Sequence, residues 1–510
     1  MSYKVFILIE LILISGMLFG AEKYAVLITG DYADSARANY NGSWAINNNI
    51  VRDSLPMQEF WNDTFLMWEM LVFEKGYDDD NVFILFAGGI DYPIDDEANC
   101  PDWWAERYKV EESHPGYTHI TDYSATIANV EMVLEGLAYG NPQENIPQLQ
   151  EDDFLTIWTF DHGVLGRDEF DNDNYHVALC LLDYDWHYNP YPDSTDDIFI
   201  DPVHSIKDYE LQALLNQINV QKKVIFMQQC YSGGFVPYLE NENAIIYTAA
   251  NDSMGAKPVD TLYFDGIDYP GDPEPGNCYG AYEMDEWFAD STVYKYRHGE
   301  YNFHLMNALK GETPVFDNFY HTEYIDFPLE NADINQDDLC SIYEAKEWVD
   351  SLNSRQRLYF GSSQPSYDDP QYSDDGEIGE TTSLEYPNLL SGEITQSQTI
   401  TGIIAIPFDL CVNSGISLTF NDNSIIYFIN QSHIIIEDNA EFIIGSNCII
   451  YGENNENRIE VNGNIAIGNY VQFTSNEGDA WYGLYLNNCD DITLQNPTFE
   501  NCNLYEGNIL

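Results

Sequence analysis

The sequence predicts two kinds of fold in one chain: an α/β domain on a mostly parallel sheet, then an all-β region of short strands. Three observations carry this. From Lys23 to about residue 310, nearly continuous apolar runs alternate with stretches of helical spacing, the pattern of a parallel sheet covered on both faces. After about residue 391 the helical spacing disappears, and short β-rich runs recur between Asn, Gly and Asp. The 510 residues exceed one ordinary domain, and a 44% hydrophobic, 15% aromatic composition supplies packed cores and excludes a disordered chain.

In chain order, residues 1–20 have the pattern of a secretory signal. Lys4 gives a positive start, Val5 to Phe19 is apolar apart from Glu10, and Gly20-Ala21 is a small pair suited to cleavage. The run is shorter than the ~20 apolar residues that span a bilayer, so export to the medium or the cell surface is expected rather than a membrane anchor. No later segment is long and apolar enough to span.

Strands are expected at Tyr24–Thr29, Val82–Ala87, Phe154–Phe160, Lys223–Met227 and Ala244–Ala249, and helices around Asn62–Lys75, Thr126–Leu137 and Lys207–Ile218. Residues 21–310 form this α/β domain. Residues 311–390 read as a loop-rich bridge around one short helical stretch. Residues 391–510 carry the runs ISLTF, IIYFI, HIIIE, EFIIG, IEVNG and their successors, spaced as in a right-handed parallel β-helix, with a β-sandwich as the alternative. The last residues, Asn508-Ile509-Leu510, lack the polar character of a capping repeat, so a longer natural protein is expected.

The formal charge of -67, from 86 acidic against 19 basic side chains, repels nucleic acid and anionic membranes and attracts basic proteins or divalent cations. The same surface would also simply keep an exported protein soluble. Nine cysteines without a CxxC pair favour neither a disulfide scaffold nor a zinc ribbon, and the odd number leaves one unpaired within a monomer.

In an open parallel sheet the ligand site lies beyond the carboxyl ends of the strands. Phe154–Phe160 runs into Asp161-His162-Gly163, and Lys223–Met227 runs into Gln228-Gln229-Cys230-Tyr231-Ser232-Gly233-Gly234. Two neighbouring strands would bring a histidine and a cysteine to one edge. That is what thiol catalysis of acyl transfer requires: thiolate attack, and an imidazole to protonate the leaving group. Gly163 would allow close backbone approach, its N–H and that of Cys230 would form an oxyanion hole, and the paired glycines would turn the chain sharply.

These residues carry a resemblance. The blocks YAVLITG, TFDHGVLG, QQCYSGG and AIIYTAAND are similar, in content and order, to the signature of the legumain family of cysteine peptidases. Asn62-Asp63-Thr64, GYDDDNVFILFAGG and PQYSDDGEIGE resemble its bacterial branch, so that the likeness covers roughly residues 23–380. The resemblance implies a caspase-like α/β/α fold, and hydrolysis of protein or peptide substrates through a thioester. It implies catalytic roles for Cys230 and His162, with Asp161 and Gly163 flanking the histidine and Asn39 orienting it. Two departures matter: Asn41-Gly42-Ser43 replaces an arginine and histidine of the Asn-selecting pocket, and Gln228 replaces an acidic residue. Asparaginyl specificity is thus unsupported, and the acidic surroundings suit a basic P1 residue instead.

Within the bridge, Asp333 to Glu344 resembles a twelve-residue EF-hand or dockerin-type calcium loop. Asp333, Asn335 and Asp337 offer side-chain oxygens, Leu339 a carbonyl and Glu344 a bidentate carboxylate. Asp338 stands where the turn glycine is expected; Asp tolerates the left-handed conformation, and a solvated acidic turn is the bland alternative. Calcium here would have a structural role, pinning the bridge between domains, and no cofactor is needed for the chemistry. The expected function is a secreted cysteine endopeptidase whose β-rich region contacts a cell surface or glycans. The alternative is a catalytically degenerate, peptidase-like binding or adhesion protein. A polysaccharide-cleaving β-helix lacks the paired carboxylates it would need.

Overall fold

The computed structural model describes residues 21–30, 58–91, 108–168, 174–185, 188, 198–253, 282–288, 291–297, 299–310, 332–360, 369–454, 456–475, 483–487, 489 and 491–500. The expected signal segment and Asn39 lie outside these residues.

The first unit is a mixed α/β layer structure. Strands β1 (Lys23–Thr29), β2 (Val82–Phe86), β3 (Phe154–Thr159), β7 (Lys222–Met227) and β8 (Ala244–Thr248) are parallel and lie in the order β8-β7-β3-β1-β2. Every residue of these five is buried, which is why they read as unbroken apolar runs instead of alternating ones. Alternate side chains feed two cores. Ala25, Leu27, Trp158, Val224, Phe226 and Tyr247 face helices α1 (Gln58–Glu69), α4 (Glu300–Lys310) and α5 (Ile342–Phe360). Val26, Ile28, Leu155, Ile157, Ile225 and Met227 face α2 (Ile127–Tyr139) and α3 (Asp208–Leu215). Thr126 caps the start of α2 by accepting the Asn129 N–H through its side chain.

Two features depart from the sequence reading. A small antiparallel sheet of β4 (Gly163–Arg167), β5 (Tyr175–Cys180) and β6 (Ser205–Lys207) leaves the main sheet directly after β3. The stretch read as a bridge also contributes to the α/β unit. Helix α5 runs 19 residues, with Ile342, Ala345, Trp348 and Val349 in the core, and β11 (Gln371–Ser373) pairs antiparallel with β8. The helix was under-read because Asp, Ser and Asn interrupt its apolar spacing. An antiparallel hairpin, β9 (Tyr282–Phe288) and β10 (Ser291–Arg297), stands apart from both sheets.

From Asn388 onward the chain builds three parallel sheets, and successive strands visit them in rotation. Ile404, Ile426, Ile450 and Phe473 stack in register on one sheet; Leu418, Phe442, Ile465 and Ile492 do so on another. The inward residues of all three sheets share a single apolar core. Asn is frequent between strands because Asn423, Asn430, Asn439, Asn447 and Asn496 take positive φ, a conformation Asn enters more readily than most residues.

This second unit docks on the amino edge of the α/β sheet. Gln221 and Asn388 both donate to the Thr401 carbonyl, and Gly402, with φ +91°, passes so close that a Cβ would lie 2.8 Å from Gln221 Oε1. Lys222 Nζ, at the start of β7, donates to Thr382 Oγ1 (2.8 Å) and the Pro387 carbonyl (2.7 Å). Lys23, at the start of β1, donates to the carbonyls of Glu385 and Lys75.

Candidate functional site

Strands β3 and β7 pair in parallel with Thr159 opposite Met227, so the segments that follow them emerge side by side at the carboxyl edge. Gln228 continues the pairing through a 2.8 Å bond to the Thr159 carbonyl. Gly163 lies against Cys230: a Cβ on Gly163 would come 1.9 Å from the Cys230 carbonyl oxygen and 3.0 Å from its nitrogen. No other residue fits. The sequence reading gave this glycine to close approach of a substrate; the approach found is to the cysteine backbone.

The turn after Cys230 is also made differently from the expectation. Tyr231 takes the left-handed conformation (φ 60°, ψ 15°) and a short 3₁₀ segment, Ser232–Phe235, follows. The two glycines serve packing instead. A Cβ on Gly233 would lie 2.8 Å from the Ala250 carbonyl oxygen, and one on Gly234 would lie 2.6 Å from Val177 of β5. Ser232 Oγ, buried, accepts the Ala250 N–H at 3.1 Å and fastens the turn to the end of β8.

Around His162, the Asp161 carboxylate accepts the His162 N–H (2.5 Å) and the His162 carbonyl accepts from Cys180 N (2.9 Å). Asp161 is buried against the end of β1, where only a glycine fits: a Cβ on Gly30 would lie 1.8 Å from its carboxylate oxygen. The Phe60 ring meets the His162 imidazole edge to face, with centroids 5.7 Å apart. Behind the histidine strand, Cys180 is buried, and burial, followed by the nearby Asp161, Cys230 and Asp201, pushes its thiol well above the usual range. Cys180 therefore stays a neutral packing group beside Cys230. Burial would raise Asp201 too, but bonds from the Val203 N–H, His204 and the Asp185 N–H outweigh it and hold that carboxyl below its ordinary value.

Gln228 explains its own departure from an acidic residue. Its side-chain oxygen accepts the Asn302 N–H (2.6 Å) in the first turn of α4. Asn302 Nδ2 in turn donates to Asp63 (3.0 Å), which also accepts the Gly299 N–H (2.9 Å), and Asn302 Oδ1 accepts from Trp158 Nε1 (3.1 Å). Asp63 and Asn302 are fully buried. A second carboxylate at position 228 would face Asp63 across Asn302 in a dry pocket, where like charges are costly. Gln229, the next residue, accepts from Thr159 Oγ1 (2.7 Å), while its buried amide nitrogen has no hydrogen-bond partner among the described residues. Sequence reasoning missed Gly30, Phe60 and the Asn302 network, because each acts across more than a hundred residues of chain or through a side chain with no motif of its own.

The second candidate, Asp333 to Glu344, is a self-braced loop. Asp333 accepts the N–H groups of Asp337 and Asp338, Asn335 that of Asp337, and Asp337 that of Leu339. Glu344 accepts from Ile334, Asn335 and Ser341, and Ser341 Oγ accepts the Glu344 N–H, a capping box that starts α5. Asp338 has φ 65°, the conformation the glycine position requires. Burial, then the Glu344 and Asp333 charges, push the Asp337 carboxyl up to about 6 against the opposing bonds from Leu339 and Asn335. Among the described residues no three His, Cys, Asp or Glu side chains converge closely enough to hold a metal ion as they stand. The loop does join the two units: Asn430 donates to the Asp337 carbonyl (3.1 Å), and Leu339 packs on Leu389 and Ala405.

Among the described residues, no helix is long and apolar enough to cross a membrane. Among the described residues, Cys180, Cys340, Cys411 and Cys448 carry free thiols. No protein-family model matches the chain, and none of the curated proteins shows significant similarity to it.

Proposed function

We propose that the chain is an exported cysteine endopeptidase of the legumain type, with a caspase-like α/β/α domain and a right-handed parallel β-helix behind it. The observation that carries the reading is the pairing of β3 with β7, which sends His162 and Cys230 to one sheet edge, with Gly163 against the cysteine backbone. In this reaction the Cys230 thiolate adds to the scissile carbonyl carbon, and the tetrahedral oxyanion takes hydrogen bonds from backbone N–H groups at Gly163 and Cys230. The imidazolium of His162 then protonates the departing amine as the C–N bond breaks, leaving a thioester. Water, giving its proton to His162, attacks the thioester carbon and releases the carboxylic acid and the thiol. Asp161 and Asn39 would orient the histidine.

In the same reading, calcium binds the loop through Asp333, Asn335, Asp337, the Leu339 carbonyl and Glu344. The support is an all-oxygen donor set and the left-handed Asp338; the ion would lock the loop that joins the two units. The β-helix faces a cell surface or glycans. The test is labelling of Cys230 by a thiol-reactive peptidyl probe in the mature protein. Labelling is expected to vanish in Cys230→Ala and to fall strongly in His162→Ala. A Cys230 that reacts no faster than a free surface thiol at every pH, before and after limited proteolysis, would defeat the proposal.

A further inference from the structure

We infer that Phe60 is a positioning residue for His162, an aromatic wedge that fixes the imidazole plane beside Cys230; this rests on the peptidase reading above. Phe60 sits in the first turn of α1, 2% exposed. Its ring is clasped between two side chains of the segment that follows β3. It meets Phe160 at 4.7 Å with planes 78° apart and His162 at 5.7 Å with planes 83° apart. Phe160 in turn meets Trp158 at 6.0 Å and 70°, so perpendicular contacts run from the core of the sheet to the imidazole.

The wedge is held rigidly. Thr64 Oγ1 donates to the Phe60 carbonyl (2.7 Å) and lies 3.0 Å from Thr29 Oγ1, at the carboxyl end of β1. The first turn of α1 is thereby tied to the edge that carries the dyad. A histidine on a loop can swing about χ1 and χ2 and lose its aim. An edge-to-face partner on one side, with Asp161 holding the backbone N–H, removes much of that freedom, and near-attack geometry is sensitive to such displacements. The aromatic contact is what a leucine of similar bulk cannot reproduce.

The experiment compares the full-length protein with Phe60→Leu, Phe60→Met and the control Phe65→Leu. Phe65 is fully buried on the same helix, stacks on Tyr108 at 4.7 Å, and makes no aromatic contact with His162. On the best peptide substrate, either Phe60 variant is expected to lower kcat roughly threefold to tenfold with KM within about twofold. The control is expected to lose thermal stability while keeping kcat. A wild-type readout needs no variant: the His162 ring-proton resonances should be displaced from their random-coil positions by the Phe60 ring current, and that displacement should be lost in Phe60→Leu. Equal loss of kcat in the Phe60 variants and the control, or unshifted His162 resonances in the folded protein, would overturn the inference. If wild-type Cys230 shows no His162-dependent reactivity while the ring shift is present, the peptidase reading fails and the positioning role falls with it. If that reactivity is present and Phe60→Leu keeps full kcat, only the positioning role falls.

Discussion

Replacing Lys222 by methionine should change how stability depends on pH, and the sign follows from where the amine is buried. Lys222 opens β7, is 8% exposed, and points its Nζ at Thr382 Oγ1, the Pro387 carbonyl and, at 3.4 Å, the Thr381 carbonyl. None of these is a charge. Burial lowers its pKa from 10.5 to about 7, with Asp374 opposing only in part. Between those two values the unfolded chain holds a proton that the folded protein has given up, so stability contributed by this group rises with pH across that window. Below pH 7 the amine is charged in both states and the slope vanishes. Within the window the slope is about 1.4 kcal/mol per pH unit, or on the order of 3 kcal/mol between pH 7.5 and 9.5. The methionine variant removes the titration and the hydrogen bonds that the amine gives to these acceptors, a pH-independent loss of about 1–3 kcal/mol. Lys23, lowered to about 8 chiefly by burial, adds a similar slope to both proteins and cancels in their difference. Urea unfolding followed by tryptophan fluorescence at pH 7.5, 8.5 and 9.5 gives the comparison. A wild-type advantage that widens with pH is expected; a constant gap would refute the buried-ammonium argument.

Three further outcomes are expected. Gly163→Ala should cut peptidase activity by about 10²-fold with little change in the far-ultraviolet circular dichroism, since its Cβ would have to displace the Cys230 carbonyl 1.9 Å away; unchanged turnover would remove Gly163 from the site. Chelation of calcium should lower the melting temperature of the wild-type protein by several degrees and leave Glu344→Gln unmoved; equal curves with and without chelator would count against the loop as a calcium site. A P1-varied fluorogenic library should rank Lys and Arg substrates highest, and their ranking last would dismiss the acidic-surroundings argument.

Much of this architecture was legible because it is written in local periodicity. The five parallel strands and the helices after residues 58, 126 and 207 appear where apolar runs and helical spacing placed them, and the stacked strands after residue 391 follow from their short β-rich runs. The side-by-side exit of the segments that carry His162 and Cys230 followed from one rule about sheet edges. Other features depend on partners far away in sequence. β4 and β6 are short and carry Gly, Arg, Ser and Lys, so nothing local marks them as strands until β5 lies between them. The edge strand Gln371–Ser373 is three half-buried residues whose pairing with β8 alone defines it. At Tyr231 the sequence misled: the two glycines nearby suggested the sharp turn, yet Tyr231 makes it in the left-handed conformation, and Gly233 and Gly234 lie where backbone and Val177 approach too closely for any Cβ. Asn302, which ties Gln228 to Asp63, has no signature in sequence because its value lies in being buried among three separate segments.

The two ends of the parallel sheet are put to opposite uses, and the side chains show why. At the amino edge the strands begin with Lys23, Lys222 and Lys223, whose stems fill apolar space while their amines reach backbone carbonyls; two of them grip residues 381–387 just before the first strand of the stacked region. Gln221, Asn388 and the close pass of Gly402 complete the junction. At the carboxyl edge the strands end in Thr29, Thr159 and Thr248, whose hydroxyls bind Thr64, Gln229 and the Ala250 carbonyl. These short ties steady the segments that leave the sheet without filling the space beyond it. A docked domain at the amino edge therefore leaves the edge bearing His162 and Cys230 uncovered by that junction. Loosening the lysine grip should then change stability and the coupling of the two units while sparing the reactivity of Cys230, which separates the junction from the site by measurement.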